Sequence, residues 1–187
     1  MTHVDNTDLD SLAAQARAFG PLSAAEVEAL LTRVRARDDP ASHRLVEHHL
    51  DAVFDVALAH RDQGIDVGDL YQEGTLAALV AISEYANRGG AAAGLRGFVS
   101  RVVSAHLEDA IQAEVIERET EAAFVRDTER YEAVEVQMRH ELGRSPTPLE
   151  LAAVLEWPQE RVEVIGEILA EARGMHDSEI LTYLDDA

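Results

Sequence analysis

Three polar side chains on one helical segment have the types and spacing best suited to binding chemistry. Asp69, Gln72 and Glu73 lie three and four residues apart, so they share one side of the helix that Asp66 is predicted to cap. Carboxylates grouped in this way can accept charge-assisted hydrogen bonds from an arginine-bearing partner helix. They can equally be solvated acids that the helix macrodipole favours near a helix start. The pattern therefore predicts either a protein-docking face or an ordinary solvated one.

Residue patterns typical of enzymes are missing from the sequence. It contains no cysteine, no phosphate-binding loop and no nucleophile elbow, and none of its eight histidines follows a glutamate by three residues, as in helical di-metal sites. His48 and His49 are adjacent and so point to different faces of a helix, and His49 is predicted to be a structural histidine with its hydrogen bonds satisfied. We therefore expect no catalytic residue, no metal and no cofactor.

The charge balance limits the partners of the chain. Its 187 residues carry 36 acidic side chains against 16 arginines and no lysine, a net charge of −20. A chain with this charge repels nucleic acid and anionic membranes unless its arginines cluster on one face. The first residues lack a signal-peptide pattern, and no apolar run approaches membrane-spanning length. We expect a soluble, cytoplasmic protein with no membrane partner.

The elements that must position these side chains are predicted to be helices. Aromatic residues make up only 5% of the chain, and apolar positions recur at helical spacing, which indicates an all-α fold. The predicted helices cover residues 24–37, 40–64 with Asp39 as cap, 67–85, 98–142 as one helix or two, 148–155 and 159–173. Residues 87–97 are predicted to be a flexible loop.

The third predicted helix has two distinct sides. Its apolar residues are expected to face inward, with Asp69, Gln72 and Glu73 on the other side; the inward set is Leu70, Leu76, Leu79, Val80 and Ile82. The last two helices form a pair joined by the Trp157-Pro158 turn, which resembles a helix-turn-helix.

Four segments taken together resemble a known family. Residues 21–31, 41–50, 69–76 and 141–148 occur in the order, and at nearly the spacing, of the sigma-70 family of bacterial transcription initiation factors. The most specific is the run Asp-Leu-Tyr-Gln-Glu-Gly at residues 69–74. The resemblance implies the family's second region, a helical domain that docks on the clamp helices of core RNA polymerase, followed by its third region. It assigns the polymerase-binding role to Asp69, Gln72, Glu73, Thr75 and Leu79.

The resemblance also divides the chain into four parts. Residues 1–20 are an acidic N-terminal segment, 21–114 a sigma region-two-like helical domain, 115–173 a small region-three-like domain of the helix-turn-helix type, and 174–187 an acidic tail. The helical pattern by itself divides the chain near Leu142. We expect the family's last domain, which reads the upstream promoter element, to be absent.

The DNA-reading segment departs from the family pattern. Aligned on Phe98, Arg101 and Val102 stand where the family has two tryptophans that capture unpaired bases, and Glu108 stands where it has a threonine. Residues 108–141 hold eleven acids against four arginines, which opposes DNA binding. The last helix, also rich in glutamate, is expected to pack rather than to read DNA. The remaining candidate DNA contacts are Arg88, Arg96, Phe98 and Arg101.

Three functions follow from these observations. The first is a sigma-70-like, non-enzymatic transcription protein that binds core polymerase and contacts promoter DNA only weakly or within a complex. The second is a regulator or decoy on the same scaffold, which occupies the clamp, or binds an anti-sigma or other regulatory protein, without opening DNA. The third is an enzyme or small-ligand binder on a helical scaffold.

Overall fold

A computed structural model describes residues 6–185, and the side chains of residues 9–175. In this part of the chain all regular secondary structure is helical, which confirms the all-α prediction. The helices are α1 (Asn6–Ala16), α2 (Ala24–Arg35), α3 (Asp39–Glu47), α4 (Leu50–Ala59), α5 (Val67–Asn87), α6 (Ala92–Leu142), α7 (Pro148–Leu155) and α8 (Gln159–Asp185). None of the described helices has the length and hydropathy of a transmembrane span. The chain forms two compact units, Met1–Val115 and Ile116–Ala187.

The first unit packs its helices around α5. Leu70, Ala77, Ala78, Ala81 and Ile82 of this helix are at most 6% exposed. They contact apolar side chains of α2, α3 and α4 and of the first part of α6. The helix α1, which the sequence analysis did not predict, adds Ala16 to the same core. Burial of this apolar surface is the main stabilising contribution to the unit.

The helix predicted for residues 40–64 is wrong in its middle. Asp38, not Asp39, caps α3, and the chain leaves the helix at His48 and His49 before α4 begins. The His49 ring nitrogen lies 2.7 Å from the Leu45 carbonyl oxygen, which the backbone N–H of His49 would bond in a continuous helix. That N–H donates to Val46 instead. The ring is buried, and burial lowers its pKa, so His49 has the structural role predicted for it.

The predicted loop at residues 87–97 is also wrong, because α6 already begins at Ala92. Leu95 is fully buried and extends the apolar stripe of α6 one turn towards its start. The Ala92 N–H donates to Glu28 at 2.6 Å, and the Tyr85 hydroxyl donates to the Ala91 carbonyl at 2.8 Å. A side chain at Gly94 would collide with the Tyr85 hydroxyl, so this glycine permits close packing rather than flexibility.

The second unit contains the remainder of α6 together with α7 and α8. Its core consists of Tyr131, Leu151, Ala152, Leu155, Val162 and Ile165. The predicted start of α7 is present as a full capping box between Thr147 and Glu150. The hydrogen bonds from Arg144, and then those from Thr147, lower the pKa of Glu150 to about 2. The final helix runs on to Asp185 rather than ending near residue 173; the side chains of the tail beyond Met175 lie outside the described residues.

A larger side chain at Gly74 would test how closely α5 packs against its neighbours. A methyl group there would lie 3.0 Å from Val53 Cγ1 and 3.1 Å from Val103 Cγ1. We expect Gly74→Val to lower the free energy of unfolding by roughly 1 to 3 kcal/mol through overpacking. The matched change Gly97→Val, on the exposed side of α6, should stay within about 0.5 kcal/mol of the parent. Urea unfolding followed by circular dichroism measures the free energy of unfolding of both variants. Equal values for the two variants would contradict close packing at Gly74.

The Glu150 capping box should make the second unit sensitive to acid. A lowered folded-state pKa stabilises the fold above the ordinary value of 4.5, and this contribution disappears as the pH falls towards 2. Glu150→Gln should therefore lower the melting temperature at pH 6 and have progressively less effect towards pH 2. The fluorescence of Trp157, the one tryptophan in the sequence, reports melting of this unit. Glu167→Gln on α8 is the control, and an equal effect of both variants at pH 6 would refute a special role for the box.

Candidate functional site

Helix α5 positions the polar cluster found in the sequence. Asp66 caps the helix by accepting a hydrogen bond from the Gly68 N–H at 2.7 Å. One side of α5 is buried in the first unit, and the opposite side carries a stripe at steps of three and four residues that is exposed except at the half-buried Glu73. We call this stripe the α5 face, and its residues are Asp69, Gln72, Glu73, Leu76 and Val80.

The prediction that Leu76 and Val80 face inward is wrong. They are 62% and 65% exposed. The inward positions are occupied instead by small residues, above all Gly74, Ala77 and Ala81, which allow α5 to approach its neighbours closely. Leu70 and Ile82 are buried as predicted, and Leu79 is partly buried against the core. The α5 face is therefore apolar as well as acidic.

An apolar groove runs along one edge of the α5 face. It has a volume of about 250 Å³ and is lined by Glu73, Leu76, Ala77 and Val80 of α5 and by Val102 and His106 of α6. The His106 Nε2 lies 2.7 Å from the Glu73 Oε1. This contact between helices fixes the position of one carboxylate of the cluster next to the two exposed apolar side chains.

The two remaining predicted polymerase-binding residues, Thr75 and Leu79, extend from Gln72 of the α5 face along an adjacent stripe of α5. Gln72, Thr75 and Leu79 follow one another at steps of three and four residues. The Thr75 hydroxyl donates to the Tyr71 carbonyl at 2.7 Å, so its hydrogen-bond donor is already used within the helix. Thr75 and Leu79 are half-buried, whereas Gln72 is exposed. The five predicted residues thus occupy one continuous side of α5.

The candidate DNA contacts are largely engaged within the first unit. Arg96 binds Asp51 of α4 at 2.9 Å, and Arg88, directly after α5, pairs with Glu84 of that helix. Burial acts to raise the pKa of Asp51, but the hydrogen bonds from Arg96 and the Ala52 N–H outweigh it and lower the value. These two guanidinium groups are therefore neutralised by carboxylates of the protein itself.

Phe98 and Arg101 differ in how accessible they are. Phe98 is half-buried, and its ring lies 5.0 Å from that of Tyr85 between centroids. Arg101 is exposed and makes no ion pair with any side chain in the described residues. Among the four candidate DNA contacts of the first unit, only Arg101 is an unpaired guanidinium, and the one aromatic ring, that of Phe98, is partly covered.

Sequence reasoning missed five residues of this site: Leu76, Val80, Ala77, Val102 and His106. The signal that could have revealed the first two was the run of small residues in α5. Positions 70, 74, 77, 78, 81 and 82 form one contiguous arc on a helical projection, and Leu76 and Val80 lie opposite it. Among the described residues, no group of three histidine, aspartate or glutamate side chains could hold a metal ion.

Comparison with known proteins agrees with the motifs. Residues 45–114 match the family model for sigma-70 region 2. An RNA polymerase sigma factor SigA from a Bacillus species is 30% identical over 156 residues, which cover 80% of this chain and 39% of that relative. The chain thus spans about two fifths of the relative's length. The matched segment contains all of α5 and the groove that α5 forms with α6. Residues 45–114 are thus similar to sigma-70 region 2, in agreement with the sequence motifs.

Proposed function

We propose that this chain is a non-enzymatic, cytoplasmic transcription protein that binds the clamp helices of core RNA polymerase through the α5 face. The observation that carries the proposal is the exposed stripe of acidic and apolar side chains on α5, which lies within the segment that matches sigma-70 region 2. The Bacillus relative is named as an RNA polymerase sigma factor, which supports the same partner.

The chemistry of the α5 face suits a protein partner. Leu76 and Val80 are mostly exposed, and burying such side chains fully contributes about 1.5 to 3 kcal/mol each. Gln72 and the two carboxylates beside them can hydrogen-bond arginines of a partner helix, which fixes the register of the complex. Apolar burial thus provides affinity, and the polar cluster provides specificity.

We further propose that recognition of promoter DNA is weakened. Arg88 and Arg96 are neutralised by Glu84 and Asp51, so little counterion release remains to drive binding to phosphates. Val102, which aligns with one of the family's tryptophans, lines the groove beside Leu76 rather than offering a ring for base stacking. The protein would then take part in initiation only with help on the DNA.

The second candidate function is a regulator or decoy that occupies the clamp without opening DNA. The same substitutions at Arg101 and Val102 favour it, because base capture requires aromatic platforms beside a cationic groove. Such a protein would compete with an active sigma factor for core polymerase. An anti-sigma or other regulatory protein is a further partner consistent with this function.

Two double variants test polymerase binding. Gln72→Ala with Glu73→Ala, and Leu76→Ser with Val80→Ser, should each weaken binding to core polymerase by roughly 2 to 5 kcal/mol, or at least about 30-fold in Kd. Surface plasmon resonance with immobilised core enzyme measures the Kd, and circular dichroism verifies the fold.

The control for these variants is Val136→Ser with Val154→Ser, which changes side chains of similar exposure in the second unit. It should bind as the parent does. Unchanged affinity of both α5 variants, with native helicity, would remove the basis of the proposal.

Promoter opening tests the weakened DNA recognition that both candidate functions share. Base stacking on an aromatic ring is worth about 1 to 3 kcal/mol, so the loss of two platforms removes roughly 2 to 6 kcal/mol, or about 30-fold to 10⁴-fold in open complex. With core polymerase alone we expect little or no permanganate-reactive thymine at a consensus promoter. A housekeeping sigma factor is the positive control. Reactivity equal to that control would contradict weakened DNA recognition and exclude the decoy.

A further inference from the structure

The second unit carries an exposed apolar groove of its own between α6 and α8. It has a volume of about 450 Å³ and is lined by Phe124, Asp127, Pro158, Glu160, Arg161, Val164 and Ile165. Phe124 is 40% exposed and Val164 is 50% exposed. Ile168, one helical turn beyond Val164, is 40% exposed and continues the apolar strip along α8. We call this surface the α6–α8 groove.

Acidic side chains border the groove on both helices. On α8, Glu160, Glu167 and Glu171 lie three or four residues from Val164 or Ile168, and therefore beside them on the helix surface. On α6, the neighbours of Phe124 at three residues on either side are Glu121 and Asp127. The apolar strip thus has a negatively charged rim along its length.

The arginines near the groove neutralise only part of this rim. Arg161 pairs with Asp127 and lies over the Trp157 ring, 4.6 Å from its centroid. Arg173 is held by two glutamates of α6 at 3.0 and 3.1 Å. Glu160, Glu167 and Glu171 form no ion pair with any described residue. Residues 116–175 carry fourteen acids against seven arginines, so the surroundings of the groove are negative as well.

The charge of the groove determines what can occupy it. Duplex DNA would place phosphates against the acidic rim, and a second copy of this chain, with its net charge of −20, would bring a like-charged surface. An amphipathic helix with an apolar stripe and lysines or arginines on its flanks complements both the strip and the rim. We propose that the α6–α8 groove is a docking site for a basic amphipathic helix of another protein. This site is separate from the α5 face and does not depend on the function proposed for it.

A designed peptide is a suitable probe. It is an 18-residue helical peptide without tryptophan, with leucines at helical spacing and lysines on both flanks; its counterpart has the same leucines and glutamates on the flanks. Trp157 is the one tryptophan of the chain and contacts Arg161 at the groove, so its fluorescence reports binding there. With the full chain we expect a saturable change with the lysine peptide and none with the glutamate peptide.

Variants that leave the charge of the chain unchanged distinguish binding in the groove from non-specific attraction of the lysine peptide to an acidic protein. Val164→Ser and Ile168→Ser, tested singly, should each weaken binding of the lysine peptide at least tenfold. Val136→Ser changes a valine of α6 that is even more exposed and does not line the groove, and it should leave binding unchanged. Circular dichroism checks both groove variants, and either one that keeps native helicity suffices for the test.

Charge reversal tests the rim. Glu160→Lys combined with Glu167→Lys should shift preference to the peptide with glutamate flanks. The proposal is overturned if Val136→Ser weakens binding as much as the groove variants do. It is also overturned if the parent chain binds the lysine peptide and the glutamate peptide equally. It is also overturned if the groove binds duplex DNA, or if sedimentation shows self-association of the parent chain that Val164→Ser abolishes.

Discussion

The close approach of α5 to its neighbours is the constraint on which the rest of the first unit depends. Gly74 leaves room for Val53 and Val103. The other small residues on the buried side of α5 are Ala77, Ala78 and Ala81. Because small residues fill the inward positions, the larger Leu76 and Val80 are exposed on the outside. The packing that stabilises the core therefore also creates the apolar part of the α5 face.

Electrostatics then determines which partners the surface can accept. The chain has sixteen cations, all arginines, and several of them are engaged by its own carboxylates, among them Arg96 with Asp51 and Arg161 with Asp127. A guanidinium that is already paired releases few counterions on meeting a phosphate. The exposed apolar strips of both units are accompanied by acids, on α5 by Asp69 and Glu73 and on α8 by glutamates. This combination favours basic protein helices over nucleic acid.

Features encoded within a few residues could be predicted from the sequence. The start of α7 is predictable because Thr147, Pro148 and Glu150 form a local capping pattern, and the similarity to sigma-70 region 2 is predictable from the motif that starts at Asp69. Features that depend on tertiary packing could not be predicted. The inward side of α5 was misassigned because alanines give a weak hydrophobic signal, and the break at His49 depends on a ring hydrogen bond to Leu45. The predicted polymerase-binding and DNA-contacting roles remain predictions.

Hydrogen–deuterium exchange of the full chain, with and without core RNA polymerase, tests the central claim most directly. Peptides from α5 and from the part of α6 around His106 should exchange more slowly in the complex, because the α5 face and its groove become buried against the polymerase. Slower exchange elsewhere, with α5 unchanged in a demonstrated complex, would contradict binding through this face.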